Sequence, residues 1–371
     1  MAKKVLVTGG AGFIGSHLVD NLVAEGHQVK MLDSLEPQVH TGKPEYLNPN
    51  AEFILGDIRN EDVLRKALKD VEVVFHHAAA VGVGQSMYQI HKYTDVNTGG
   101  TARLLDVLVN GGYKIEKLIV ASSMSIYGEG TYKCGRCGIV YPKLRSDEQL
   151  REGKWELPCP KCSEVTQPVP TDEDKPLQPT SVYAVSKRDQ EEMCLAVGRA
   201  YNIATVALRF FNVYGPRQSL SNPYTGVCAI FLSRIKNNRP PLVFEDGLQS
   251  RDFISIHDIV QANILAMEKA EADYETFNVG SGVSVTISQI AKTLIKLCAA
   301  KLEPEYTAKY RAGDIRHCFP DISKIKARLG FEPKTNFEEG MKELIAWSEK
   351  EKADDKTAQA HAELRDRKLV F

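Results

Sequence analysis

The 371-residue sequence has almost no net charge, −1, and no apolar run of membrane-spanning length. Near-neutrality argues against a global field drawing the chain to nucleic acid or an anionic membrane. The missing run argues against a helical membrane span. The opening stretch MAKKVLVTGG lacks the apolar core and small-residue cleavage site of an export signal, so a cytoplasmic setting is expected. Eight cysteines in that setting are not expected to form a disulfide framework. Internal repeats and low-complexity linkers are also lacking. The length allows two modest domains, or one large domain with an appendage.

What is present begins with alternation. KKVLVTGG, QVKMLD, AEFILGD, VEVVFHHAA and KLIVASS read as five apolar strands, with helical spacing between them as in SHLVDNLVAEG. Strands this apolar suit a parallel sheet covered on both faces. Right-handed crossovers then make an α/β, doubly wound Rossmann sheet. After Gly215 the alternation weakens into amphipathic helices and short strands such as LVFEDG and TFNVGS. The expected organisation is a dinucleotide-binding domain over residues 1–131 and 166–215, with a four-cysteine insertion at 132–165. A smaller α/β substrate domain is expected mainly over 216–348. The polar, alanine-rich tail at 349–371 is expected to be a solvated helix with little function.

Chemistry enters at VTGGAGFIGSH, which sets Gly9, Gly12 and Gly15 between a strand and a helix. The first glycine permits the turn, the second lets backbone approach a pyrophosphate, and the third lets helix pack on strand. Asp33 ends the second strand, eighteen residues after Gly15, where a carboxylate can accept both ribose hydroxyls. A 2′-phosphate there would meet like charge, so NAD is expected rather than NADP. Asp57 in LGDIRN is positioned to accept from an adenine amino group. The alternative for both aspartates is the start of a turn.

SVYAVSKRDQEE places Tyr183 and Lys187 four apart, on one helix face. A phenol with a pKa near 10 is a weak base at neutral pH. An adjacent ammonium and a positively charged nicotinamide would stabilise the phenolate and lower that value. VASSMSIYG ends the fifth strand and brings Ser122 and Ser123 to the ligand-binding edge of the sheet. His76 and His77, ending the fourth strand, read as packing or hydrogen-bonding residues.

Over roughly residues 3–345 the chain resembles the extended short-chain dehydrogenase/reductases of the nucleotide-sugar epimerase/dehydratase family. The likeness rests on TGGAGFIGSH, Asp33, GDIR, HHAA, DVNTGGT, ASSMSIYG, YAVSK, LRFFNVYGPR, RDFISIHD and AGDIRHCFPD. It implies that Ser123 is the catalytic serine, Tyr183 the base and Lys187 its partner. It implies NAD contacts from Gly9, Gly12, Phe13, Ile14, Gly15 and Asp33. Further NAD contacts are implied from Asp57, Ile58, Ala78, Asn97, Tyr183 and Lys187. Ser123, Asn212, Arg217, Arg251 and Arg316 are implied to contact the nucleotide sugar, and helices such as GTARLLDVLVNGG to form a homodimer.

Family dehydratases follow the serine or threonine with Asp-Glu, whereas this chain has Met124 and Ser125. Water loss is thereby disfavoured, and epimerisation at C4 through a transient 4-keto sugar is expected. The loops EPQVHTGKPEYL and AAAVGVGQSMYQ, with the paired cysteines, resemble the members of the family that act on dTDP-L-rhamnose. Val81, Val83 and Met87 would suit a sugar without a 6-hydroxyl. Other dTDP- or UDP-hexoses, including UDP-glucose, and a 4-ketoreductase remain alternatives.

Cys134, Cys137, Cys159 and Cys162 form two C-x2-C knuckles separated by 21 residues. Four thiolates suit tetrahedral Zn²⁺ with every coordination position filled, which makes a site structural. An iron–sulfur centre and idle thiols are the rivals. A zinc ribbon also raises a different class, an NAD-linked binding or regulatory module. From Tyr132 to Thr166, however, seven basic and five acidic residues are balanced by the −2 of a zinc tetrathiolate. A neutral ribbon lacks the footprint of a nucleic-acid binder. The expected role is to brace a loop beside the sugar pocket or a subunit contact.

Overall fold

A computed structural model describes residues 2–371. At its centre, seven strands lie in the order Thr276–Val279, Ala204–Phe210, Lys117–Ser123, Val73–His76, Lys4–Thr8, Gln28–Asp33, Glu52–Leu55. Every neighbouring pair is parallel. Successive side chains point to opposite faces, and both faces are apolar. Val5, Val7 and Phe75 pack against Leu18 and Leu22 of helix Phe13–Ala24 and Ile259 of helix Ile256–Glu268. Leu6 and Val74 pack the other way, against Leu64, Leu104 and Leu108 of helices Glu61–Leu68 and Gly100–Asn110. Cys194, on helix Val182–Tyr201, joins that second core. The order reverses between Lys4–Thr8 and Val73–His76, which opens a crevice at the carboxyl edge.

Two elements expected in the smaller unit belong to this sheet. Thr276–Val279 extends it by pairing with Ala204–Phe210, and Ile256–Glu268 covers one face. The chain thus returns to the sheet after leaving it, and local pattern cannot show which sheet a strand joins. The smaller unit keeps Asn212–Tyr214, Ser250–Ser255 and Ser284–Thr286, with His317–Cys318 alongside. Its core gathers Phe231, Leu294 and Leu344 from helices Val227–Lys236, Ile287–Leu297 and Phe337–Ser348.

The insertion is a three-stranded antiparallel sheet of Gly138–Val140, Thr131–Cys134 and Thr166–Val169, a little longer than its sequence boundaries. Its own core is small: Tyr132, Val140 and Leu157 around the cysteines. Buried charge ties it to the smaller unit. Arg145 pairs with Glu245 at 2.8 Å, and Glu156 pairs with Arg316 at 2.6 Å. Arg316, with 0 % of its surface exposed, also pairs with Glu245 at 3.0 Å and Asp246 at 2.7 Å. Glu129 accepts from the Tyr132 hydroxyl and from Arg316 N–H, joining both sides again.

The C-terminal segment departs from expectation. Helix Thr357–Asp366 is docked, with Thr357, Ala360 and Leu364 buried. Beyond it, Phe371 exchanges two backbone hydrogen bonds with Tyr310 and stacks on its ring at 5.4 Å. Its apolar positions are too few and too small to stand out as a stripe in sequence.

Removing Arg316 leaves Glu245 with Arg145 alone and takes the guanidinium from Glu156 and Asp246, at a cost of up to about 3–5 kcal/mol. Arg316→Met should therefore lower the urea midpoint sharply with little change in m value. Arg65→Met, at an exposed ion pair with Glu61, should leave the midpoint in place.

Candidate active site

The glycine loop is shaped by contact between backbones. Gly9 sits at φ +70, and a Cβ on Gly15 would lie 2.1 Å from the Gly9 carbonyl oxygen. That closeness lays helix Phe13–Ala24 against the sheet edge. Gly12 caps the helix without a side-chain acceptor, so its first N–H groups and its positive end are available to an anion. Asp33 is fixed by two backbone donors, Ala11 N–H at 3.0 Å and Leu35 N–H at 2.8 Å. Asp57 is held by Arg59, whose hydrogen bonds keep its carboxyl below the usual range.

These residues line one end of a cavity of about 680 Å³, together with Phe13, Ile14, Ile58 and Ala78. An uncapped helix end, close backbone approach and an oriented carboxylate fit the diphosphate and ribose of NAD. Asn97 does not reach this cavity. It is buried in a π-helical turn, Thr94–Gly99, and its amide grips the Ala80 backbone and the Ser186 hydroxyl. Asn97 therefore holds the loop after the fourth strand in place.

Tyr183 and Lys187 enter from helix Val182–Tyr201, capped by Ser181, which accepts from Ala184 N–H at 3.1 Å. Ser123, in extended conformation at the end of its strand, faces them across the same cavity. The Ser123 hydroxyl also accepts from Ser125 N–H at 3.2 Å. Burial raises the Tyr183 pKa, and a hydrogen bond from Ser123 opposes that rise. Protein groups alone therefore do not produce the lowered phenol expected from sequence. Lys187 is lowered to about 8, again by burial, and donates to Gln190 at 2.7 Å. Gln190 continues to Thr101, and Thr101 to His76 at 2.8 Å. His76 also bonds Thr8, and His77 bonds Asn263, as hydrogen-bonding residues should.

Asn212, Arg217 and Arg251 line the cavity, but Arg316 does not. Its guanidinium is consumed by Glu156, Glu245 and Asp246, whereas its carbonyl, with that of Ile315, accepts from Arg251 at 2.8 and 2.6 Å. Arg316 therefore supports Arg251 instead of facing a ligand. Arg217 pairs with Asp20 at 2.7 Å and lies over Tyr46, beside the glycine-loop helix. The arginine missed in sequence is Arg311, which lines the cavity over the Phe244 ring at 4.5 Å. Its Nε, the Asn212 Oδ1 and the Ser122 hydroxyl are buried without partners, so the cavity offers unspent donors and acceptors to a polar ligand. Arg311 and Arg316 share the run YRAGDIRH, and a loop has no period to tell them apart. Val81 and Val83 line the cavity; Met87 does not.

In the insertion the four cysteines are free, and their sulfurs all lie within 4.8 Å of one another. No helix among the described residues is long and apolar enough to cross a membrane.

Residues 5–144 match the NAD dependent epimerase/dehydratase family, and residues 164–344 match the GDP-mannose 4,6 dehydratase family. The middle of the insertion, residues 145–163, falls between the two matches. A dTDP-L-rhamnose 4-epimerase of Burkholderia thailandensis is 35% identical, over 93% of this chain and 94% of that protein. The solved UDP-glucose 4-epimerase of Thermotoga maritima, with UDP-glucose, is 33% identical with a TM-score of 0.77, covering 94% and 99% of the two chains. A Bacillus cereus UDP-glucuronic acid 4-epimerase, in complex with UDP-glucuronic acid and NAD, is 27% identical with a TM-score of 0.76, over 93% and 99%. The chain is an enzyme of the NAD-dependent epimerase/dehydratase family.

Burial holds His76 at a pKa of about 3, with the Lys187 charge adding to the effect. The unfolded imidazole titrates near 6.5. As pH falls below that value the unfolded chain takes a proton that the native chain refuses, so the His76 contribution to stability is complete above pH 6.5 and is lost as pH falls towards about 3. His76→Asn should show a shallower acid slope, read as denaturation midpoints at pH 7.5, 5.5 and 4.5.

Proposed function

We propose that the chain is an NAD-dependent nucleotide-sugar 4-epimerase acting on dTDP-L-rhamnose. The observation that carries the reaction type is the convergence of Ser123, Tyr183 and Lys187 on one cavity, with Met124 and Ser125 where dehydratases of the family carry Asp-Glu. The likeness to a dTDP-L-rhamnose 4-epimerase and the apolar Val81 and Val83 support the sugar. The likeness to a UDP-glucose 4-epimerase supports the rival, a UDP-hexose.

The glycine loop, Asp33, Asp57, Ile58 and Ala78 would hold NAD. When bound, NAD supplies a reversible hydride acceptor at C4, so the reaction needs no second substrate. Tyr183 Oη takes the C4 hydroxyl proton and later returns it. Ser123 Oγ holds the C4 oxygen, and Lys187 keeps positive charge near the phenol. Arg251 and Arg311 supply cationic donors for a diphosphate, and Asn212 a further polar contact. The unpartnered Arg311 Nε and Asn212 Oδ1 support these roles. A homodimer built on helices Gly100–Asn110 and Val182–Tyr201 rests on family likeness and on Val185, exposed on the latter.

Purified enzyme should convert dTDP-L-rhamnose to its C4 epimer with no net NADH. A dehydrated product or NADH accumulation would sink the epimerase reading. Turnover of UDP-galactose but not dTDP-L-rhamnose would overturn the sugar. Tyr183→Phe should lower kcat by about 10²–10⁴-fold while substrate binding is kept.

The cysteine cluster is proposed to hold structural zinc. A Zn–S bond of about 2.3 Å places tetrahedral sulfurs about 3.8 Å apart, and Cys134 Sγ to Cys162 Sγ is 3.6 Å. Metal analysis should find about one zinc per chain. Cys134→Ser with Cys162→Ser should release it and lower the melting temperature. A visible iron–sulfur absorption band, or full activity in a folded zinc-free variant, would refute the structural zinc.

A further inference from the structure

The C-terminal helix lies against the cavity and contributes a continuous stripe to its wall. Thr357, Ala360, His361 and Leu364 all line it, at the spacing of one helix face. Neither family match extends beyond residue 344, so this wall lies outside both matched segments.

The helix is anchored from several directions. Before it, Asp355, with 2 % of its side chain exposed, pairs with Arg234 at 3.3 Å and Arg239 at 3.0 Å. After it, Leu369 accepts from Ala312 N–H, next to Arg311. In its middle, Glu363 accepts from the hydroxyls of Tyr88 and Tyr224, both at 2.8 Å. Tyr88 follows the fourth strand of the main sheet and Tyr224 precedes helix Val227–Lys236. The helix therefore bridges the two sides of the cavity.

Its two cavity-facing ends meet different neighbours. His361 meets the edge of Phe244 at 5.2 Å, beside Arg311. Leu364 lies against Gly84, where an added methyl group would meet it at 3.5 Å. Gly84 belongs to the short turn Val83–Ser86, and Ser86 accepts from Tyr183 N–H at 3.0 Å. Leu364 thus packs on the turn that begins with Val83 and, through Ser86, holds the backbone of Tyr183.

We propose that Leu364 is a specificity-determining residue: with Val83 it forms the wall against the sugar's C5 substituent, and selects a methyl group over a hydroxymethyl. This rests on the nucleotide-sugar reading of the cavity. An apolar wall rejects a hydroxyl that it cannot hydrogen-bond, and accepts a methyl that would otherwise face water.

The test compares wild type, Leu364→Asn and Leu364→Val on dTDP-L-rhamnose and on a dTDP-hexose with a 6-hydroxyl. Calorimetric binding of both sugars and of dTDP alone is measured beside turnover. In Leu364→Asn the preference for the 6-deoxy sugar should fall by about 10-fold or more, with dTDP affinity within about twofold of wild type. Leu364→Val should restore most of the preference. An unchanged preference in folded Leu364→Asn, or an equal loss for dTDP alone, would overturn the assignment. Binding preference that shifts as expected without any epimerisation would support this wall and remove the epimerase reading alone.

Discussion

All seven strands of the main sheet run the same way, and that single constraint assembles the site. A parallel sheet covered on both faces leaves only its edges for polar chemistry. Every strand then delivers its last residues to one edge. Gly9, Asp33, Asp57, Ala78, Ser123 and Asn212 each follow or end a different strand, and all six line one cavity. Residues separated by two hundred positions meet because the backbone has nowhere else to end.

Buried charge imposes the second constraint. A guanidinium without exposed surface needs several acceptors, and Arg316 takes them from both the insertion and the smaller unit. The insertion, with only Tyr132, Val140 and Leu157 beside its cysteines, buries too little to be stable alone. Its order comes from the sulfur cluster at one end and from Arg145 and Glu156 at the other. The same network reaches the cavity, because the carbonyls of Ile315 and Arg316 aim Arg251. A cysteine cluster remote from the cavity is thereby connected to the positioning of a cation inside it.

What was legible in sequence was what has a local period or a fixed spacing. The five first strands, the glycine turn, the Tyr183–Lys187 pair and the paired cysteines all signal within a dozen residues or two short knuckles. Long-range choices were not legible. Nothing local says that Thr276–Val279 joins the main sheet, or that Arg311 and not Arg316 faces the cavity. Asn97 looked like a ligand contact because its motif is shared, but its amide is spent inside the fold. The helix at Thr357–Asp366 was hidden by its composition. Its buried face is threonine, alanine and a single leucine, and its anchors are carboxylates and tyrosines far away in the chain.

Tyr183 and Lys187 show why burial and activation must be considered together. Desolvation moves Tyr183 and Lys187 in opposite directions on the pH scale, but both towards their neutral forms. A phenol that resists ionisation is a poor base, and Ser123 offsets only part of that resistance. Opposite charge brought close would do the rest, since a cation in a low-dielectric site acts on a phenolate far more strongly than in water. NAD held by the glycine loop and Asp33 would bring such a charge into the same cavity. The burial that keeps Tyr183 protonated is thus also what would make its acidity sensitive to the cofactor's charge.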